Sequence, residues 1–177
     1  MPAHDDLQTL RLPLGDRAVS PAVRARARVR RRSGAARATD TLPVWLRRFR
    51  LEVLLWAFRE GRPLDPAALT AVLGAKHHRS EEPFHQWSRH SVRELLWVDI
   101  DGWWREVVAD GSPPPAAAAA TLWTLLDHLD AVDGFAPGSD PLVLLREPLV
   151  DSGGVDRRGR PASRRSRARH PSMQGAR

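Results

Sequence analysis

Between residues 92 and 108 the large apolar residues fall at Val92, Leu96, Ile100, Trp103 and Val107, in steps of four, four, three and four, with Leu95, Trp104 and Val108 beside them. That spacing lays one stripe along an α-helix and would scatter the same side chains over both faces of a strand. Unbroken from 81 to 109, such a helix would be 29 residues, about 43 Å at 1.5 Å per residue. The sequence DIDG (99–102) lies in its middle. Gly102 costs about 1 kcal/mol there relative to alanine, and Asp101 could cap a second helix, so a kink or break is expected at this point.

The same grammar recurs elsewhere. In TDTLPVWLRRFRLEVLLWAFREG, Asp40 or Thr41 is the expected cap and Pro43 suits a first turn, where its missing N–H has no partner to lose. Leu42, Trp45, Leu46, Phe49, Val53, Trp56 and Ala57 form one stripe, and Leu51, Leu54, Leu55 and Phe58 form a second. Apolar on two sides and ended by Gly61, this reads as a central helix. In LDPAALTAVLGA, Asp65 caps, Pro66 takes the first position, Leu69, Val72 and Leu73 face inward and Gly74 ends the helix. SPPPAAAAATLWTLLDHLDAVDG predicts a helix from about Pro115, with Leu122, Leu125, Leu126, Leu129 and Val132 as its stripe and Gly134 closing it. GSDPLVLLREPL offers Ser139 or Asp140 as cap, Pro141 inside, and a short helix that does not pass Pro148. No stretch alternates as a strand would. The expectation is an all-α compact bundle of about five helices over residues 39–151, between disordered Arg-rich arms at residues 1–38 and 152–177.

Charge divides the chain in the same way. The 177 residues carry a net +7. Residues 1–37 hold nine arginines against three aspartates, and residues 157–177 hold eight arginines and no acid. Residues 38–156 hold eleven basic groups against eighteen acidic ones, a net −7. The basicity is confined to the arms, where VRARARVRRRSGAARA (23–38) has no apolar face to bury and RRGRPASRRSRARHPSMQGAR has few large apolar residues. Arginine outnumbers lysine 27 to 1, and Ala, Pro and Gly are abundant with it. All are encoded by GC-rich codons, so base composition alone could produce arms of this kind. The chain has no cysteine, which excludes disulfides, thiolate metal sites and cysteine nucleophiles. The first twenty residues have no apolar leader and no run approaches a membrane span. A cytoplasmic protein without membrane contact is expected.

The segment HHRSEEPFHQWSRH (77–90) holds four of the seven histidines. His78, Glu82 and His85 fit the spacing of ligands on one helix face, as do His77 and Glu81. Pro83 argues against it: inside a helix it costs about 3 kcal/mol, and in a first turn little. The expected helix therefore starts at Ser80 as cap, with Glu81 and Glu82 at the positive end of the dipole and His77 and His78 in the preceding loop. No H-E-x-x-H completes a metal set. VDIDG fails as a calcium loop, because counting from Asp99 puts glycine at position four and Asp110 at position twelve. Asp127, Asp130 and Asp133 are spaced three apart near a helix C-terminus, where acids oppose the dipole. They read as a solvated face, to which an arm arginine would be the nearest cation. G-x-S-x-G, Walker and dinucleotide signatures are all missing.

Seven tryptophans stand without a tyrosine. Trp45, Trp56 and Trp103 lie on core stripes, whereas Trp87, Trp97 and Trp123 fall off them and are candidates for a protein interface. Three functions follow as expectations. The first is a small non-enzymatic helical protein that contacts nucleic acid through Arg24, Arg26, Arg28, Arg30, Arg31 and Arg32 in one arm. Arg157, Arg158, Arg160, Arg164, Arg165, Arg167 and Arg169 serve in the other. The second is a helical protein–protein interaction or oligomerisation module with no nucleic-acid role. The third is a metal-dependent enzyme using the His77–His85 segment. No cofactor is expected.

Overall fold

The structure, a computed structural model, describes residues 34–108 and 111–161. Among these the chain is α-helical without a β-strand. The elements are α1 (residues 34–41), α2 (Val44–Arg59), α3 (Pro66–His78), α4 (Arg89–Glu94), a π-helical turn (Leu95–Asp99), α5 (Ile100–Val108), α6 (Pro115–Ala131) and α7 (Leu142–Asp151). No helix among the described residues is long and apolar enough to cross a membrane.

The central element is α6, not α2. Every residue from Ala118 to Leu129 is buried, and α6 packs on α2, α3 and α7. Its five consecutive alanines explain this, because small side chains let neighbouring helices approach on all sides. Val132, expected on its stripe, is exposed. In α2 only one stripe is covered: Leu46, Val53 and Ala57 are buried, while Leu51, Leu55 and Phe58 lie in solvent. Trp45, expected in the core, is also largely exposed.

Several boundaries move for identifiable reasons. Helix α1 occupies residues 34–41, so that it begins inside the stretch 1–38 expected to be a disordered arm, and it buries Ala38. It ends before Pro43, which stands at the start of α2 without a side-chain cap. Asp65 caps α3 as expected, its Oδ1 accepting the N–H groups of Ala67 (2.8 Å) and Ala68 (2.9 Å). Gly74 does not end α3, which continues a further turn to His78. A Cβ at position 74 would lie 2.3 Å from two atoms of the Trp103 ring, so this glycine serves the close contact of α3 with α5. In α7 Pro148 lies inside the helix, which runs on to Asp151. Leu145 and Leu149 are fully buried on either side of it, and that packing outweighs the forfeited hydrogen bond.

Ser80 does not start a helix either. Residues 79–88 form a loop, and α4 begins at Arg89, capped by Ser88 and Ser91 in a reciprocal box. Lys76, on α3, is the cause. Its side chain is 1% exposed, and its Nζ donates to Ser80 Oγ (3.1 Å) and to Glu82 Oε2 (3.3 Å), 4.9 Å above the centre of the Trp87 ring. Glu82 also accepts from Ser88 Oγ at 2.5 Å. A buried ammonium needs such partners, and satisfying it pulls the 79–88 loop inward.

Candidate functional site: a cleft edged by Trp97

From Val92 to Val108 the apolar stripe behaves as the sequence predicts. Val92, Leu96, Ile100 and Trp103 are buried, with Leu95, Trp104 and Val108 beside them. The expected break at DIDG is absent, and α5 passes through Gly102. A Cβ there would meet the Arg79 guanidinium at 2.7 Å. The distortion comes earlier, where the Ile100 N–H bonds to the Leu95 carbonyl and the turn takes one extra residue. Such π-helical turns are often found at functional sites. The extra residue lets Leu95, Leu96 and Ile100 stay buried while Trp97 and Val98 stand out, each 59% exposed.

Trp97 forms one lip of a cleft of about 1150 Å³. Leu96, Ile100, Ala118 and Val155 contribute its apolar lining, and Pro113, Pro114 and Pro115 form a wall leading into α6. Proline has no N–H, so this wall presents rings and carbonyls and no donors of its own. The opposite wall is the chain after α7. Residues 152–161, expected to be a disordered tail, turn back through an isolated bridge between Val155 and Pro161. Asp156 holds the turn, its Oδ1 accepting the N–H groups of Arg158 (2.8 Å) and Arg160 (2.9 Å). These bonds keep its carboxyl below the usual aspartate range. Two glycines let the loop close on α6. A Cβ on Gly154 would lie 2.6 Å from Ala119 Cβ, and one on Gly159, whose φ is +73°, 2.4 Å from the Trp123 indole nitrogen.

The polar side chains of the cleft are mostly engaged. Asp101 accepts from Ser112 Oγ and pairs with Arg105 at 2.5 Å. On the other side of Trp97 is a smaller depression of about 230 Å³, lined by Arg89, Arg93, Pro148, Asp151 and Ser152. Trp97 is thus a ridge between a large apolar hollow and a small one of mixed charge, where Arg89 is paired with Glu147 at 3.0 Å and Arg93 stands beside Asp151 in the lining. A surface of this kind suits binding through an apolar anchor, with a charged group alongside.

The three off-stripe tryptophans separate. Trp97 is exposed. Trp87 is fully buried beneath Lys76. Trp123 is 7% exposed, covered by the Gly159 loop and by the Arg146 guanidinium 4.7 Å above its ring. Neither buried indole offers a face to another protein. Arg157, Arg158 and Arg160 are exposed on the turn beside the cleft. Arg24, Arg26, Arg28, Arg30, Arg31, Arg32, Arg164, Arg165, Arg167 and Arg169 lie outside the described residues.

The histidine segment disperses. His77 and His78 are in the last turn of α3, not in a loop. His77 meets Trp45 edge-on, His78 stacks at 7° to Trp103, and His85 Nδ1 lies 3.2 Å from the Gly134 carbonyl. Glu82 turns to Lys76. Among the described residues, no three His, Asp or Glu side chains gather as a metal site. Asp127 is not on a solvated face: its side chain is 6% exposed and pairs with Arg62 (3.3 Å) of the α2–α3 loop and with Arg146 of α7, neither of them in an arm. Asp130 and Asp133 are exposed.

The cleft itself escaped sequence reading because its lining comes from three separated stretches, within 96–101, 112–118 and 152–161. The signal for it was PPP followed by alanines, together with a tryptophan off its stripe. No protein-family model, curated protein or solved structure matches this chain.

Proposed function

We propose that this is a non-enzymatic helical binding protein, and that the Trp97 cleft receives a short segment of a protein partner. The supporting observation is an indole 59% exposed at the lip of an apolar cleft, raised there by a π-helical turn. A large apolar side chain of the partner fills the space between Trp97 and the proline wall. An acidic residue beside that anchor reaches Arg93, since Arg89 is already paired with Glu147. Tryptophans at the centre of protein interfaces commonly contribute about 2 kcal/mol or more of binding energy. The test is selection of displayed peptides against the immobilised full chain, followed by titration of the winners. Selected peptides should share an apolar anchor next to an acid and should bind Trp97→Ala at least about 30-fold more weakly. Peptides whose affinity is indifferent to Trp97→Ala would refute the cleft as the binding site.

A second reading, contact with nucleic acid through the arms, draws support from Arg157, Arg158 and Arg160, which stand exposed on the Asp156 turn. Arginine-to-serine substitution of one arm in the full chain should then lower both affinity for labelled DNA or RNA and its logarithmic salt slope. On duplex DNA the slope should fall by about 0.9 for each phosphate no longer neutralised. Binding that ignores these substitutions removes the reading.

A further inference from the structure

His128 stands between two rings of the neighbouring helix. Its imidazole, on α6, lies 5.8 Å from the Phe49 ring and 5.2 Å from the Trp56 ring, tilted at 50° and 58° to them. Phe49, Glu52 and Trp56 step by three and four along α2, so they share one face of that helix. The imidazole fills the notch between the two rings. His128 is 6% exposed, and its Nδ1 is buried without a hydrogen-bond partner. A neutral imidazole can leave that nitrogen as a bare acceptor. An imidazolium carries an N–H on both nitrogens. The one at Nδ1 would have no acceptor, so the charged ring does not fit the notch as it stands.

The surrounding charges do not reverse this. Burial disfavours the charged ring, and Glu52, exposed on α2, opposes that only in part. Asp127, beside His128 on α6, is paired with Arg62 of the α2–α3 loop and Arg146 of α7. From the 79–88 loop His85 lies against Phe49, and Lys76 of α3 is turned to Glu82.

We propose that His128 is a proton-operated latch: its neutral ring holds α2 against α6, and protonation lifts that stretch of α2 while the rest of the bundle stays folded. The helix is tied on either side of the notch. Arg50 Nε donates to Thr70 Oγ1 on α3 (2.7 Å), and beyond Gly61 the Thr124 hydroxyl of α6 donates to the Pro63 carbonyl (2.7 Å). Neither tie contains a group that titrates between pH 5 and 8. The span between them holds the buried residues Val53 and Ala57, and its lifting gives the ring a path to water. In the lifted state the ring titrates near its ordinary 6.5, and in the closed state lower. Closure is therefore complete above about 6.5 and weakens as pH falls below it. At pH 5.0 a ring charged only in the lifted state raises the lifted population by up to about 30-fold.

The chain has no cysteine, so one introduced thiol reports the opening. Ala57→Cys, at a position 2% exposed on α2, is compared with Ala71→Cys, at a fully buried position on α3. Each full-length variant is labelled with dithiodipyridine from pH 7.5 to 5.0, and its rate is divided by that of an unstructured peptide thiol. Circular dichroism checks that every variant is folded. The Ala57→Cys ratio should rise about five- to thirtyfold towards pH 5.0 and exceed that of Ala71→Cys at least tenfold throughout. Adding His128→Leu or His128→Gln should cut the rise to less than twofold. NMR of the ring nitrogens in the unsubstituted protein should place the His128 titration below that of a peptide histidine. A flat Ala57→Cys ratio overturns the proposal, and so does equal labelling at the two positions, which would mean that the whole fold opens. A rise that survives both His128 replacements, or a His128 that titrates like a peptide histidine or above it, overturns it as well.

Discussion

Lys76 is the one lysine among 27 arginines, and replacing it with arginine should be far from conservative. Its side chain is 1% exposed and its Nζ has two side-chain acceptors, Ser80 Oγ at 3.1 Å and Glu82 Oε2 at 3.3 Å, with the Trp87 ring beneath it. A guanidinium has five N–H donors in a rigid plane. Two acceptors leave donors unsatisfied, and the extra volume must be pressed against Trp87. Overpacking costs about 1–3 kcal/mol, and each unsatisfied buried donor about 1–3 more. Lys76→Arg should therefore destabilise the fold by about 3 kcal/mol or more. Lys76→Met removes the charge and strands Glu82. That carboxylate keeps the Ser88 hydroxyl and is 27% exposed on its side chain, so the cost should lie below the 3–5 kcal/mol of a fully buried broken pair, at about 2–3 kcal/mol. Lys76→Met/Glu82→Leu replaces both charges with apolar groups and should recover most of that loss. Urea unfolding followed by tryptophan fluorescence measures all three. Lys76→Arg within 0.5 kcal/mol of wild type, or a double variant no better than Lys76→Met, would show that the ion pair does not shape the 79–88 loop as argued.

Gly74→Ala on a solvent-facing turn should stabilise α3 by about 1 kcal/mol. Here the new Cβ meets Trp103 at 2.3 Å, so thermal melting should show a net loss of about 1–2 kcal/mol, relieved in a Trp103→Leu background; a stabilised single variant refutes the contact. Burial lowers the His128 pKa from its ordinary 6.5, with Glu52 partly opposing. The unfolded chain then takes up a proton first, so stability falls as pH drops below about 6.5 and levels off below the lowered folded-state value. His128→Gln should flatten the melting temperature between pH 5 and 6.5, leaving a remainder from His78, which burial also lowers; an unchanged slope counts against it. Gly159→Ala combines a φ of +73° with a Cβ 2.4 Å from Trp123. It should release the 152–161 loop and speed tryptic cleavage after Arg157 and Arg158 by about tenfold, for a cost of roughly 1–2 kcal/mol; unaltered cleavage would mean that the loop is held by other contacts.

Helix identity was legible wherever a 3.6-residue period ran beside a capping residue. Asp65 before Pro66, the stripe from Val92 to Val108 and the start of α6 at Pro115 needed no tertiary information, because caps and periodicity are local. Local residues also held the exposed arginines of the 152–161 turn, but not the turn itself. What required the folded chain were the choices between equally good local options. Two apolar stripes on α2 could not reveal which would be covered; the alanines of α6 decided, by letting helices crowd around that axis instead. Ser80 was a sound cap on local grounds, and a buried ammonium four residues before it moved the helix start to Ser88 by drawing Ser80 and Glu82 inward. Gly74 read as a stop and Gly102 as part of a kink or break, yet each makes room for a side chain from a distant element, Trp103 and Arg79. The Trp97 cleft belongs to the same class. Its lip, its proline wall and its returning loop come from three separated stretches, and only their packing on α6 brings them within reach of one ligand.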